Sequence, residues 1–135
     1  MDRRIPRDHL RGQSAAAGRA TLAVIRREGL AERARRLGGV VTTSLWDMAV
    51  RHPEISEVRG PSLMIGIEFG ERRREDTAFA ARVLRRCLGL RLVLYPAGPA
   101  DSMIRFIPPL NVNEADLDEE GLATLDAAIA QARSG

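Results

Sequence analysis

The chain has 135 residues, 44% hydrophobic and 29% charged, with a net charge of +3, the make-up of one domain with room for a real core. All 21 basic residues are arginine and 18 acids are interspersed among them, so the pI near 10.3 reports missing lysine more than a basic patch; with 4% aromatic residues for base stacking, this argues against nucleic acid as a partner. No run approaches the roughly 20 apolar residues that cross a membrane, a single cysteine excludes an internal disulfide, and Met1 opens no secretory leader, so the expected location is cytoplasmic.

Met1 to Asp8 is a charged, proline-containing opening without a pattern of its own. A first helix is expected from about Gln13 to Arg27, its small residues from Ser14 to Ala20 offering a face that another backbone can approach closely. Gly29 breaks it. A second helix runs from Leu30 to His52, where Pro53 stops it, with Leu30, Ala34, Leu37, Val41, Leu45 and Met48 in one apolar stripe. Glu32, Arg33, Arg35 and Arg36 occupy its other face and read as solvated.

Beyond Pro53 the period changes. After a short extended piece ending at Gly60, Leu63, Ile65, Ile67 and Phe69 alternate with Met64, Gly66 and Glu68, the pattern of a half-buried strand, and Gly66 is expected to mark a close approach of another backbone. A charged turn from Glu71 to Asp76 leads to a helix from about Glu75 to Leu88 that buries Phe79, Val83, Leu84 and the core thiol Cys87. Strands are then expected at Arg91 to Tyr95 and Ser102 to Ile107, paired as an antiparallel hairpin around Pro96 to Asp101, with Pro108 and Pro109 ending the second. If Ile104 and Phe106 face the core, Arg105 faces outward with Met103 and Ile107, either as a carboxylate clamp or as an ion-pair partner, for instance of Glu68. The last helix, Glu114 to Arg133, opens on Asn113 as N-cap with Asp116 in a capping-box position.

The fold class that emerges is α/β (α+β): a small, mainly antiparallel sheet of three or four strands with helices on one face, preceded by a helix pair. His9 and His52 share no metal-ligand spacing, and no nucleophilic triad or phosphate-binding glycine loop is present, so no residue is assigned as catalytic or metal-binding.

The run Ile104-Arg105-Phe106-Ile107-Pro108-Pro109-Leu110, continued by Asn111 to Asp118, resembles the C-terminal signature of class III pyridoxal-phosphate aminotransferases, the family of the diaminobutyrate, ornithine and γ-aminobutyrate enzymes. Leu10-Arg11-Gly12-Gln13, Glu28 to Ala34, Glu57 to Gly60 and Leu63 to Glu68 agree with it in order. The resemblance implies the small C-terminal domain of the fold type I pyridoxal-phosphate enzymes at 30–135, behind an opening segment and interface helix at 1–29. It implies pyridoxal phosphate as cofactor of the complete enzyme, a homodimer, and a large cofactor-binding domain or lysine-bearing chain as partner.

For residues, the resemblance gives Arg105 the grip on a substrate carboxylate. His9 and Gln13 stand where the family's Thr-Phe-Arg-Gly-Asn turn meets the cofactor phosphate of the neighbouring subunit, and Tyr95 lies on the substrate side of the pocket. Two departures matter. Arg59-Gly60-Pro61-Ser62 lacks the family's second glycine, and no lysine exists to hold the cofactor as a Schiff base. The implied function is therefore part of an enzyme moving an amino group between a donor such as diaminobutyrate or ornithine and 2-oxoglutarate, not catalytic alone. The alternatives are a noncatalytic carboxylate- or partner-binding module and a structural gene remnant.

Overall fold

The apolar stripe of the second helix sets the architecture. Leu30, Ala34, Leu37, Val41, Leu45 and Met48 are all buried along one side of helix α2 (Leu30–Arg51), which follows α1 (Arg7–Arg27) across a left-handed Gly29. The computed structural model describes residues 7–71 and 74–134, without the side chains of 7–13, 71, 74 and 75. Strands β1 (Ile55–Arg59) and β2 (Ile65–Glu71) come next, then a two-residue β3 (Arg74–Glu75), helix α3 (Thr77–Gly89), β4 (Tyr95–Ala97), β5 (Met103–Phe106) and helix α4 (Ala123–Arg133). The sheet order is β1-β2-β5-β4, antiparallel throughout, and β3 pairs with the end of β2.

Alternation along the strands gives the sheet its two sides. Val58, Ile65, Ile67, Phe69, Ile104 and Phe106 enter one core with α2, α3 and α4, and the ladder sets Ile65 opposite Phe106 and Ile67 opposite Ile104. The expected α/β class, with helices on one face of a small antiparallel sheet, is what forms.

Three expectations shift. The turn before the first helix does not form, since α1 already begins at Arg7 and runs through positions 9–13. The strand expected at Arg91 to Tyr95 begins only at Tyr95, because the end of α3 uses the residues before it: the amides of Leu90 and Leu92 bond the Cys87 carbonyl, and Arg91 takes a left-handed φ of 67°. Glu71 and Arg74–Glu75 form a short hairpin in place of a plain turn, with 72–73 outside the described residues.

The last helix also opens differently. Asn113 does cap, its Oδ1 accepting from the Ala115 amide at 2.9 Å, but residues Asp116–Leu122 wind as a π-helix before α4. Leu117 and Leu122, five apart, are both buried, and the wider turn brings both to the core side.

Close packing sets one sharp constraint. A Cβ on Gly38 would lie 2.0 Å from the backbone oxygen of Ser62, in the loop leading to β2. Gly38→Ala is expected to destabilise the chain by about 1–3 kcal/mol, seen as a lower urea midpoint.

A polar cluster ties α4 to the corner after α2. Buried His52 places Nε2 2.5 Å from Asp126 Oδ1, Arg51 donates to Asp126 Oδ2 at 3.1 Å, and Arg133 holds Glu54 at 2.6 Å. Burial works to raise the Asp126 carboxyl, but the bonds from His52 and Arg51 outweigh it and hold the group below its ordinary 3.8; Arg133 holds Glu54 below 4.5. Depressed carboxylates stabilise the fold above their ordinary range and lose that contribution as they protonate. Stability should therefore fall as pH drops below about 4, and the double variant Asp126→Asn, Glu54→Gln should be weaker at neutral pH yet lose less on acidification, as followed by thermal melts across pH.

Candidate functional site

The open side of the sheet, away from the helices, carries the charge. Strand register places Arg105 on it between Gly66 of β2 and Tyr95 of β4, while its neighbours Ile104 and Phe106 are anchored in the core. A strand held on its other side by two buried side chains gives the guanidinium a fixed base, the geometry suited to a planar, bidentate carboxylate contact. Arg105 is exposed, and among the described residues no carboxylate or carbonyl occupies its guanidinium.

Glu68 is engaged elsewhere. It lies opposite Met103, two pairs along from Arg105, and accepts from Arg59 Nη1 at 2.7 Å; Arg59 also bonds Glu57 and sets Nη2 3.0 Å from the Met103 sulfur. The expected Glu68 to Arg105 pairing is therefore replaced by Glu68 to Arg59. The close approach at Gly66 comes from a side chain and not from another backbone: the Met103 methyl occupies the space a Cβ would need, while the nearest backbone atom, the Arg59 oxygen, would be 3.6 Å away. Without that hollow the thioether would compete with Arg105 for the open side.

The loop beyond β5 is fixed by a residue that sequence reading left in solvent. Arg33, in the first turn of α2, donates Nη1 to the Leu110 carbonyl at 2.8 Å and Nη2 to the Val112 carbonyl at 2.5 Å. Arg36 pairs with Glu114 at 2.5 Å beside it. A guanidinium fork across two carbonyls pins the prolines and the stretch after Arg105 to the helix. Nothing in the local pattern announces it, since the partners are 77 and 79 residues away.

Arg105 also lines a cavity of about 800 Å3 with Tyr95, Phe106, Leu117, Glu119 and Glu120. Tyr95 is exposed there, as a pocket-lining residue needs to be. His9 and Gln13 lie on α1, their side chains outside the described residues. Cys87 is buried in the core and its thiol is pushed up to about 11 by burial, which removes it as a nucleophile. Among the described residues no three His, Cys, Asp or Glu side chains group around a point where a metal would sit. No helix among them is long and apolar enough to cross a membrane.

Pyridoxal phosphate does not fit these residues as its own resident site. There is no lysine for the covalent link, and the cavity beside Arg105 carries Asp116, Glu119 and Glu120, which oppose a phosphate. What the residues offer instead is the exposed guanidinium of Arg105, which among the described residues has no counter-ion.

Comparison with known proteins bears on what such a guanidinium serves. The aminotransferase class-III family model matches residues 13–129. The diaminobutyrate–2-oxoglutarate aminotransferase of Haemophilus influenzae is 29% identical over 113 residues, covering 77% of this chain and 25% of that protein. The 4-aminobutyrate aminotransferase of Escherichia coli is 30% identical over 115 residues, covering 83% and 27%. A solved phospholyase from Arthrobacter in complex with phosphoethanolamine superposes with a TM-score of 0.81 at 28% identity, covering 87% of this chain and 28% of that one. The chain thus spans about a quarter of the length of the curated relatives it matches.

Proposed function

Because the chain belongs to the class-III aminotransferases, we propose that it serves as the C-terminal part of an amino-group-transferring enzyme and that Arg105 grips the carboxylate of the substrate. The observation that carries this is the placement of Arg105: rooted on β5, aimed away from the core, and without a protein counter-ion among the described residues. A guanidinium kept free on a rigid strand is shaped for an external carboxylate, as of glutamate or 2-oxoglutarate. The amino donor we assign to the diaminobutyrate and ornithine type, on the Leu10-Arg11-Gly12 and Arg105-to-Leu110 motifs.

In this reading the chain's residues bind and orient. Pyridoxal phosphate, when bound by the complete enzyme, supplies the electron sink for transamination, and its lysine comes from outside these 135 residues. The first 29 residues act as opening segment and interface helix, 30–135 as the small domain, in a cytoplasmic homodimer. His9 and Gln13 are the positions we assign to contact with the cofactor phosphate of the neighbouring subunit.

The test measures amino-group transfer to 2-oxoglutarate by the chain alone and by the chain joined in frame to a lysine-bearing large domain of the family. Silence alone and turnover when joined are expected. Turnover by the lysine-free chain would overturn the proposal, as would a folded, cofactor-loaded joined protein that is inert.

A further inference from the structure

We propose that the cavity beside residues 92–94 is a docking site for one extended polypeptide segment, supplied from outside these 135 residues, which adds to the sheet at this margin and points a basic side chain at Asp116, Glu119 and Glu120. Arg105 lines the same cavity, and the assignment is argued from residues other than it.

The first observation is a strand without its ladder. Arg91-Leu92-Val93-Leu94-Tyr95 has the composition and alternation of a strand, and burial follows suit: Leu92 and Leu94 pack against the core while Val93 and Tyr95 are exposed. Yet pairing with β5 starts only at Tyr95 opposite Arg105, and Val93 and Ile107, which the same register would set face to face, stay outside it. Along this stretch lies the cavity of about 800 Å3, floored by Leu92, Phe106 and Leu117. A stretch of strand-like composition and burial at a sheet margin, beside an apolar trough, is the arrangement that captures an added strand.

The second observation is charge. Glu54, Glu57, Glu68, Glu114 and Asp126 each hold an arginine, whereas among the described residues Asp116, Glu119 and Glu120 hold none, as Asp47, Asp101 and Asp118 outside the cavity hold none; what sets the three apart is that they line one cavity together. Arg91 and Arg105 line the same cavity without pairing to them. In a chain with arginine to spare, three unpaired carboxylates along an apolar trough are complementary to an incoming cation. The third observation is size. The trough holds several residues, and some three quarters of each related polypeptide lies outside the stretch matched here, so a segment to fill it is at hand.

The test adds synthetic hexapeptides at millimolar concentration to the labelled chain: Val-Arg-Val-Thr-Val-Arg and its acidic counterpart Val-Glu-Val-Thr-Val-Glu. The basic peptide is expected to slow amide exchange at Val93 and Leu94 by about ten-fold and to give cross-strand contacts there, while the acidic one does neither. Glu119→Gln with Glu120→Gln, both exposed and so harmless to the fold, should abolish the preference for the basic peptide. No protection by either peptide would overturn the proposal. Equal protection by both would refute the charge assignment, and shifts at these amides with free ornithine or 2-oxoglutarate but not peptide would mark a small-molecule site instead.

Discussion

Replacing Phe69 with alanine is expected to lower the unfolding free energy by about 3–5 kcal/mol. Phe69 lies on the central strand β2 with none of its surface exposed, its ring 5.5 Å from that of Phe79 and tilted 53° to it. The substitution removes an aromatic side chain from the junction between sheet and α3, and the surrounding Ile67, Ile104 and Val83 belong to elements that hold one another in place, so the void cannot close. The urea midpoint of Phe69→Ala should fall accordingly, with little change in slope. A shift no larger than that of a surface variant would mean that β2 is not the spine of this core.

Arg105→Ala should be the opposite kind of variant. The side chain is exposed, so unfolding curves should move little. In the complete enzyme, however, the loss should be about 2–5 kcal/mol in the use of glutamate or 2-oxoglutarate, roughly 30- to several-thousand-fold in kcat/KM. Arg105→Lys should keep the charge but lose the two-pronged contact, and fall between. Steady-state kinetics with dicarboxylate and monoamine substrates checks it. Unchanged values for the dicarboxylate would remove the carboxylate role, whatever the family.

Much of this was legible in the residues because it is periodic. The six-residue stripe of α2 and the alternation through β2 each follow from a single face meeting a single core, and that is what sequence spacing encodes. The outward direction of Arg105 follows from Ile104 and Phe106 in the same way. What stayed hidden depends on partners far along the chain. Arg33 looks like any surface arginine until the Leu110 and Val112 carbonyls come to it, and Glu68 found Arg59 rather than Arg105 because register, which local pattern does not set, put it opposite Met103. The late start of β4 has a local cause that composition masks: a non-glycine residue, Arg91, took the left-handed position closing α3. The π-helical opening of the last helix needed the core side of Leu117 and Leu122 to be known together.

The first helix has a consequence for how the protein comes apart. From Ser14 to Ala23 every side chain of α1 is exposed, and among the helix's described side chains only Val24 and Ile25 sink partway toward the rest. A helix so weakly moored breathes on its own account, with an opening free energy well short of the global one. Heating should thus bleed away ellipticity before the emission of the lone Trp46 on α2 responds, and the two traces should refuse to overlay.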